Sequence, residues 1–166
     1  MEHKQFKTEI KRINGYLKEV ITFFDSSGKP ISHIINPLMV ELRPRDVLQI
    51  FIGALLMGTP LCFTEEVWVL SSSLKIFNIS LILFISLSSV SCFVYFNFYR
   101  NNIKGHIIEF FKRIVATYVI SILSIVVLLF LIDKFPILEN PIIALKRIII
   151  IGFPAVFAGT LSDSLK

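Results

Sequence analysis

Charged residues are scarce in this chain, and their scarcity decides the broad class of protein. Only 17% of the 166 residues are Asp, Glu, Lys or Arg, whereas 54% are hydrophobic. The mean hydropathy is +0.74. Soluble domains carry about 25% charged residues and about 45–50% apolar residues. The composition therefore excludes a soluble globular protein and indicates an integral membrane protein with about four spans of roughly 20 residues each.

Cysteines and known catalytic patterns are also scarce. The chain has two cysteines, Cys62 and Cys92, which lie in apolar segments without a neighbouring His or Cys at ligand spacing. We interpret both as small buried hydrophobic residues. No paired-aspartate motif, His-Glu metal helix, nucleophile elbow or glycine-rich phosphate loop occurs in the sequence. We therefore expect no enzymatic activity, no cofactor other than a bound cation such as calcium, and no nucleic-acid partner.

Residues 1–45 are predicted to form a cytoplasmic region that begins with a helix. Apolar residues recur there at alternating spacings of four and three, with Lys, Arg, Glu and Thr at most positions between them: Phe6, Ile10, Ile13, Leu17, Val20 and Phe24. This spacing is typical of a heptad, so we predict a helix over residues 3–24 that forms a coiled coil in a homo-oligomer. The alternative is an amphipathic helix that lies on an anionic inner leaflet.

The opening residues are polar and lack a short apolar core followed by a small-residue cleavage site. We therefore expect no cleaved signal peptide, so that the first span directs its own insertion. Turn formers from Asp25 to Pro30 end the predicted helix, and a short extended segment follows. Asp46 marks the start of the membrane domain, because it is placed to cap a helix that begins at Val47.

Long apolar segments dominate the remainder of the chain, residues 46–166. We predict that four of them cross the bilayer, at about residues 47–70, 76–99, 114–132 and 141–165. Basic residues are concentrated before the first span and between residues 100 and 113, so both regions are assigned to the cytoplasmic side. The predicted fold is all-α, a four-helix transmembrane bundle in the cell membrane with both termini in the cytoplasm.

The stretch from Gly58 to Trp68 is the candidate functional site, because it places Glu65 and Glu66 in an otherwise apolar span. Ionisable residues within spans usually serve a function. At 1.5 Å per residue, Glu65 lies roughly 28 Å from Asp46 along the helix axis, which is close to the full thickness of the hydrocarbon core. We therefore place the acidic pair at the outer rim.

Pro60 and Thr64 extend this candidate site. Pro60 lacks a backbone N–H and can open the helix just before the acids, which would leave carbonyl oxygens free to face a cation. The hydroxyl of Thr64 would add a further ligand. Asp163, near the predicted cytoplasmic end of the last span, is a candidate for an inner ion site or a gate.

Two functions fit this arrangement. In the first, the chain is a homo-oligomeric cation channel, and Glu65 and Glu66 of several copies form an acidic ring at the outer mouth that attracts cations such as calcium. In the second, the chain is a structural or regulatory membrane protein. Its acids then pair with Lys146 and Arg147, which the topology places at a similar depth, and its N-terminal helix recruits a partner.

Two stretches carry a resemblance to a known family. Gly53 to Trp68, which contains Thr-Glu-Glu-Val-Trp, and Gly152 to Gly159 resemble an uncharacterised family of small prokaryotic integral membrane proteins. The resemblance covers the membrane part of the chain. It implies a prokaryotic cell membrane and a four-span architecture, and it implies neither a substrate nor functional residues.

Overall fold

The computed structural model describes residues 6–25, 28–37, 41–100 and 106–165. The chain divides into two compact units, one of residues Met1–Glu41 and one of residues Leu42–Lys166. The first unit contains the strands and the second contains the helices. Each is described by itself below.

The first unit is a three-stranded antiparallel sheet in the order β1-β2-β3. Its strands are β1 (Phe6–Ile13), β2 (Tyr16–Phe24) and β3 (Pro30–Pro37). The predicted helix over residues 3–24 is therefore wrong where the structure describes it, from residue 6 onward, and the predicted coiled coil is wrong with it. Residues 3–5 lie outside the described part of the chain.

The hairpin turn explains this difference. Asn14 and Gly15 join β1 to β2, and both have positive φ angles, 54° and 82°. This is the conformation of a two-residue turn that matches the twist of the flanking strands, and Asn-Gly is its preferred sequence. Residues four apart lie on one face of a strand as well as on one face of a helix, so much of the apolar spacing fits both structures.

A small charge cluster lies on β1. Lys11 and Lys7 contact the carboxylate of Glu9 at 2.6 and 2.7 Å. Hydrogen bonds from Lys11 and Lys7, together with their charges, lower the pKa of Glu9 from 4.5 to about 2. The same carboxylate raises the pKa of Lys7. Alternate residues of a strand share a face, so this cluster marks one face of the sheet as charged.

The second unit is helical and consists of α1 (Pro44–Cys62), α2 (Glu65–Ser73), α3 (Ile76–Val94), α4 (Ile107–Leu131) and α5 (Pro141–Ser164). A π-helical turn, Tyr95–Tyr99, continues α3. Among the described residues, four helical segments are long and apolar enough to cross a membrane: Pro44–Cys62, Ile76–Tyr99, Ile107–Leu131 and Pro141–Ser164. The first apolar segment of the sequence therefore forms two helices, with the break at Phe63 and Thr64.

Glycines bring α1 and α5 into close contact. A Cβ atom added to Gly53 would lie 2.6 Å from the carbonyl oxygen of Ala158, and one added to Gly159 would lie 3.0 Å from that of Ile50. Small residues at a helix interface allow this close approach, and membrane helices use them in the same way. The seam between α1 and α5 is consequently tightly packed.

Large apolar side chains cover the outside of the helical unit. Phe84, Phe130 and Leu131 each expose at least 70% of their surface. Such exposure suits contact with lipid, which solvates apolar side chains. Cys92 on α3 is exposed, so the interpretation as a buried residue holds for Cys62 alone.

Candidate functional site

A buried charge network joins three helices at one end of the helical unit. Arg113 of α4 donates through Nη2 to Oδ2 of Asp46 on α1 at 2.9 Å. It donates to Asp163 of α5 through Nε at 3.0 Å and through Nη2 at 3.3 Å. The side chain of Arg113 is 0% exposed, and those of both aspartates are 2% exposed. Three ionisable side chains are thus removed from solvent together.

The helix termini position this network. The first turns of α1 and α4 and the last turn of α5 lie at the same end, which we call the inner end after the predicted topology. Asp46 is the third residue of α1 and accepts a hydrogen bond from the backbone N–H of Arg43 at 3.1 Å. It therefore caps a helix that begins at Pro44, three residues earlier than Val47. The guanidinium of Arg113 stacks on the ring of Phe98 at 4.0 Å.

A polar stripe continues from this network along α4. Its members recur at spacings of four, four and three residues, which places them on one helix face: Arg113, Thr117, Ser121 and Ser124. All are at most 2% exposed. Thr117 donates to the carbonyl of Arg113 at 2.8 Å, whereas Ser121 Oγ has no hydrogen-bond partner among the described residues. The inner half of the core therefore contains a polar stripe beside buried apolar residues such as Ile50 and Val156.

The outer half of the core is mainly apolar, with Ser71 of α2 as a buried polar residue. The buried residues there form one hydrophobic cluster: Ala54, Cys62, Val67, Ile125, Leu129, Ile151 and Ala155. The cluster includes Val67, which follows the acidic pair on α2. An apolar layer thus separates the polar stripe of α4 from the outer rim.

Glu65 and Glu66 occupy the first turn of α2, at the outer end of the helical unit. Both are exposed, and with Val69 and Leu70 they line an open depression of about 470 Å³. Carboxylates at a helix N-terminus interact favourably with the helix dipole, which accounts for their tolerance in this position. Their exposure leaves both groups available to a ligand from outside the chain.

Lys146 and Arg147 lie at this same end but bind other groups. Lys146 Nζ donates to the carbonyl of Leu74 at 2.7 Å. Arg147 donates to the carbonyl of Lys134 at 2.6 Å, and its guanidinium lies 4.7 Å from the centre of the Trp68 ring. No ion pair in the described part of the chain joins either residue to the acidic pair. The predicted docking through these charges is absent from this conformation.

Thr64 and Pro60 form the break between α1 and α2. Thr64 Oγ1 donates to the carbonyl of Leu61 at 2.9 Å, and the backbone N–H of Phe63 donates to the carbonyl of Pro60 at 3.2 Å. Two carbonyl oxygens at the break are therefore engaged within the chain. Their contribution to a cation site stays a prediction.

The structure brings Pro60, Thr64, Glu65 and Glu66 together and separates them from Asp163. The two groups lie at opposite ends of α1, which is 19 residues long and so spans roughly 28 Å. No group of three or more His, Cys, Asp or Glu residues in the described ranges is arranged to hold a metal ion.

Sequence reasoning missed Arg113 and the role of Asp46. It assigned Arg113 to a basic connection and Asp46 to a helix cap. The polar spacing of Arg113, Thr117, Ser121 and Ser124 along one predicted helix face was the available signal.

Comparison with known families agrees with this architecture. The family model described as "Putative integral membrane protein (DUF2391)" matches residues 32–162. The chain belongs to this family. The DUF2391 match runs from β3 to the last turn of α5 and includes Asp46, Glu65, Glu66 and Arg113. No curated protein and no solved structure matches the chain.

The DUF2391 match and the four apolar helices together confirm the prediction of a helical integral membrane protein. The protein therefore resides in a lipid bilayer. The Thr-Glu-Glu-Val-Trp motif as a family feature, the prokaryotic source and the orientation of the termini stay predictions.

Proposed function

We propose that this DUF2391 protein is a non-enzymatic subunit of a homo-oligomeric cation channel, in which Glu65 and Glu66 of several copies form an acidic outer mouth. The observation that carries the proposal is the exposure of both carboxylates, with no ion pair to another described residue, at the rim of a membrane bundle. Ionisable residues in this position usually serve a pathway for ions or pair with a fixed charge. Lys146 and Arg147, the cations considered for helix docking, are engaged elsewhere.

The contacts of Lys146 and Arg147 favour the channel over helix docking. Both cations donate to backbone carbonyls, at 2.7 and 2.6 Å, and Arg147 also stacks on Trp68. These contacts already connect α5 to α2, to Leu74 at the end of α2, and to Lys134 in the connection between α4 and α5. Packing of the outer end therefore has no need of the carboxylates, which remain free to attract cations.

The close packing of a single chain favours a pathway between copies. Gly53 and Gly159 hold α1 against α5 without space for an ion, and an apolar cluster fills the outer half of the core. The acids face outward from the chain. A ring of copies would bring several pairs of carboxylates together, and such rings concentrate cations and replace part of their hydration. Divalent cations gain most from sites with several charges.

Asp163 enters the proposal as part of an inner gate. Both of its carboxylate oxygens accept hydrogen bonds from Arg113, so in this conformation they are unavailable to a passing ion. The network fixes α1, α4 and α5 to one another at the inner end. Asp163 therefore acts by holding these helices in place, and a change of the network would move them.

Flux measurements test the proposal. Purified protein is reconstituted in liposomes, and uptake of calcium and of monovalent cations is followed with indicator dyes. We expect Glu65→Gln combined with Glu66→Gln to reduce cation uptake at least tenfold. Glu139→Gln is the matched control, because Glu139 is an exposed carboxylate at the same end of the bundle and should leave uptake unchanged. Unchanged uptake in the double variant, or no uptake by folded wild type, would overturn the proposal.

A structural or regulatory membrane protein is the second candidate, and the sheet β1–β3 is the observation that favours it. Every described side chain of β3 before Pro37 is exposed, so the sheet offers a surface to a partner. This candidate predicts a folded protein that carries no ions in liposomes and retains its oligomeric state when Glu65 and Glu66 are replaced.

A further inference from the structure

The end of α3 leaves the α-helical register where it meets the charge network. Along α3 the buried residues Val90 and Val94 are four apart, but the next buried residue, Tyr99, follows after five. Five residues of an α-helix turn through about 500°, which would point Tyr99 roughly 140° away from Val94. The π-helical turn Tyr95–Tyr99 closes its hydrogen bonds over five residues instead, and so keeps Tyr99 on the buried face.

Phe98 and Tyr99 cover Arg113 from the side of α3. The centre of the Phe98 ring lies 4.0 Å from Cζ of Arg113. Tyr99 is 0% exposed, and its hydroxyl group forms a side-chain hydrogen bond with Arg113. Its ring also packs edge-on against Phe110 of α4, with the ring centres 5.3 Å apart. These two aromatic residues thus form a lid over the guanidinium, which we call the aromatic lid.

The sequence provides an aromatic side chain for a second register of the same turn. If the turn were α-helical, Phe98 would follow Val94 by four residues and take the inward position. Tyr99 would then turn away from the core. One ring would replace another in the core, so little packing would be lost, but Phe98 has no hydroxyl group to bind Arg113. The two registers therefore differ mainly in that hydrogen bond.

Asn97 holds the turn in the π-helical register. Its Nδ2 donates to the carbonyl of Phe93 at 3.0 Å. In an α-helix this carbonyl accepts the backbone N–H of the residue four positions on, which is Asn97 itself. A side chain that enters this ladder of hydrogen bonds is a cause of local departures from α-helical geometry. Asn97 is thus the residue whose replacement should shift the turn.

We propose that the aromatic lid is movable and controls the access of water to the charge network. In the π-helical register Tyr99 closes the network against water, and in the α-helical register Tyr99 turns outward and exposes Arg113. Single π-helical turns are rare and occur frequently at functional sites. The proposal rests on the proposed channel only for the role of the aromatic lid in the inner gate, because its movement is measurable without ion flux.

The reactivity of a cysteine beneath the aromatic lid tests the proposal. Thr117 lies one turn from Arg113 on α4 and is 1% exposed. Thr117→Cys is introduced in a background with Cys62→Ala and Cys92→Ala, and its modification by a water-soluble thiol reagent is timed in the purified full-length protein. Ser124→Cys is the matched control, because Ser124 is 2% exposed on the same stripe but lies roughly 10 Å further along α4.

Two changes at Asn97 should act in opposite directions. Deletion of Asn97 places Tyr99 four residues after Val94, so that an α-helical turn keeps the aromatic lid closed. We expect this deletion to slow the modification of Thr117→Cys at least fivefold. Asn97→Ala removes the side-chain bond to the backbone and favours the open register, so modification should become at least threefold faster. Ser124→Cys should react no faster in either variant.

Equal rates at Thr117→Cys in the parent protein and in Asn97→Ala would overturn the proposal. An equal rise at Ser124→Cys would also overturn it, because the helical unit would then open as a whole. Should the deletion variant fail to fold, Asn97→Ala with these two reporters decides the question. The expected rates in a protein without cation flux would support the movable aromatic lid and reject the channel, so the two proposals fail separately.

Discussion

Replacement of Arg113 by methionine tests the buried charge network. Methionine has a similar length and no charge, so Arg113→Met would leave Asp46 and Asp163 as two carboxylates, each 2% exposed, without their cation. Removing one partner of a buried ion pair costs about 3 to 5 kcal/mol, because the remaining charge is left unpaired away from water. For a chain of this size that loss corresponds to a fall in Tm of roughly 6 to 20 °C.

The assay is thermal unfolding of the purified protein in detergent, with Lys112→Met as the matched control. Lys112 is the neighbouring residue on α4, is exposed, and loses the same charge on replacement. Its variant should remain within about 0.5 kcal/mol of wild type. Adding Asp46→Asn and Asp163→Asn to Arg113→Met should recover most of the lost stability, since no buried charge then remains. Equal Tm values for Arg113→Met and Lys112→Met would refute the account of the network.

Three further predictions follow from the packing and the charges. Gly53→Ala should destabilise the protein by about 1 to 3 kcal/mol, because the added Cβ would lie 2.6 Å from a backbone oxygen of α5. Gly152→Ala is the control, since a Cβ at Gly152 meets nothing within 4 Å. That variant should be neutral or stabilising in the same thermal assay. Replacing Glu65 and Glu66 together by glutamine should leave Tm unchanged. A clear fall in Tm, together with recovery of Tm when the charges of the acidic pair and of Lys146 and Arg147 are exchanged, would instead support helix docking. The ion pairs of Glu9 lower the pKa of its carboxyl group in the folded state to about 2, so they should stabilise the sheet above pH 4.5 and lose this effect as the pH falls through about 2. An NMR titration that gave an ordinary pKa for the Glu9 carboxyl group would contradict this prediction.

The transmembrane part was predictable because its signal is local. A helix that crosses a bilayer must carry a long apolar run, and four such runs are visible in the sequence. The break at Phe63 and Thr64 was only partly visible, through Pro60. Pro60 lies within α1, and the helix ends two residues later at Cys62.

The N-terminal sheet was mispredicted because residues four apart satisfy two periods. Ile10 and Phe6 share a face in a helix and also in a strand, so their spacing alone did not decide between the two. The Asn14-Gly15 pair carried the deciding signal. A two-residue Asn-Gly turn between stretches of alternating hydrophobic residues is the strongest short-range indication of a hairpin.

The charge network could not be predicted from local pattern. Arg113 is separated by 67 residues from Asp46 and by 50 from Asp163, and their meeting depends on how α1, α4 and α5 pack. The contacts of Lys146 and Arg147 were equally hidden. Their depth was predicted, but their partners are backbone carbonyls, which leave no trace in the side-chain sequence.

Ion selectivity in a planar bilayer tests the central claim most directly. With a salt gradient across the membrane, the account predicts a current that reverses close to the equilibrium potential of the cation. It also predicts a shift of that potential toward zero when Glu65 and Glu66 are both replaced by glutamine, because the outer mouth then lacks its negative charge. A folded, reconstituted protein that carries no current, or a reversal potential that is the same with and without the two carboxylates, would contradict it.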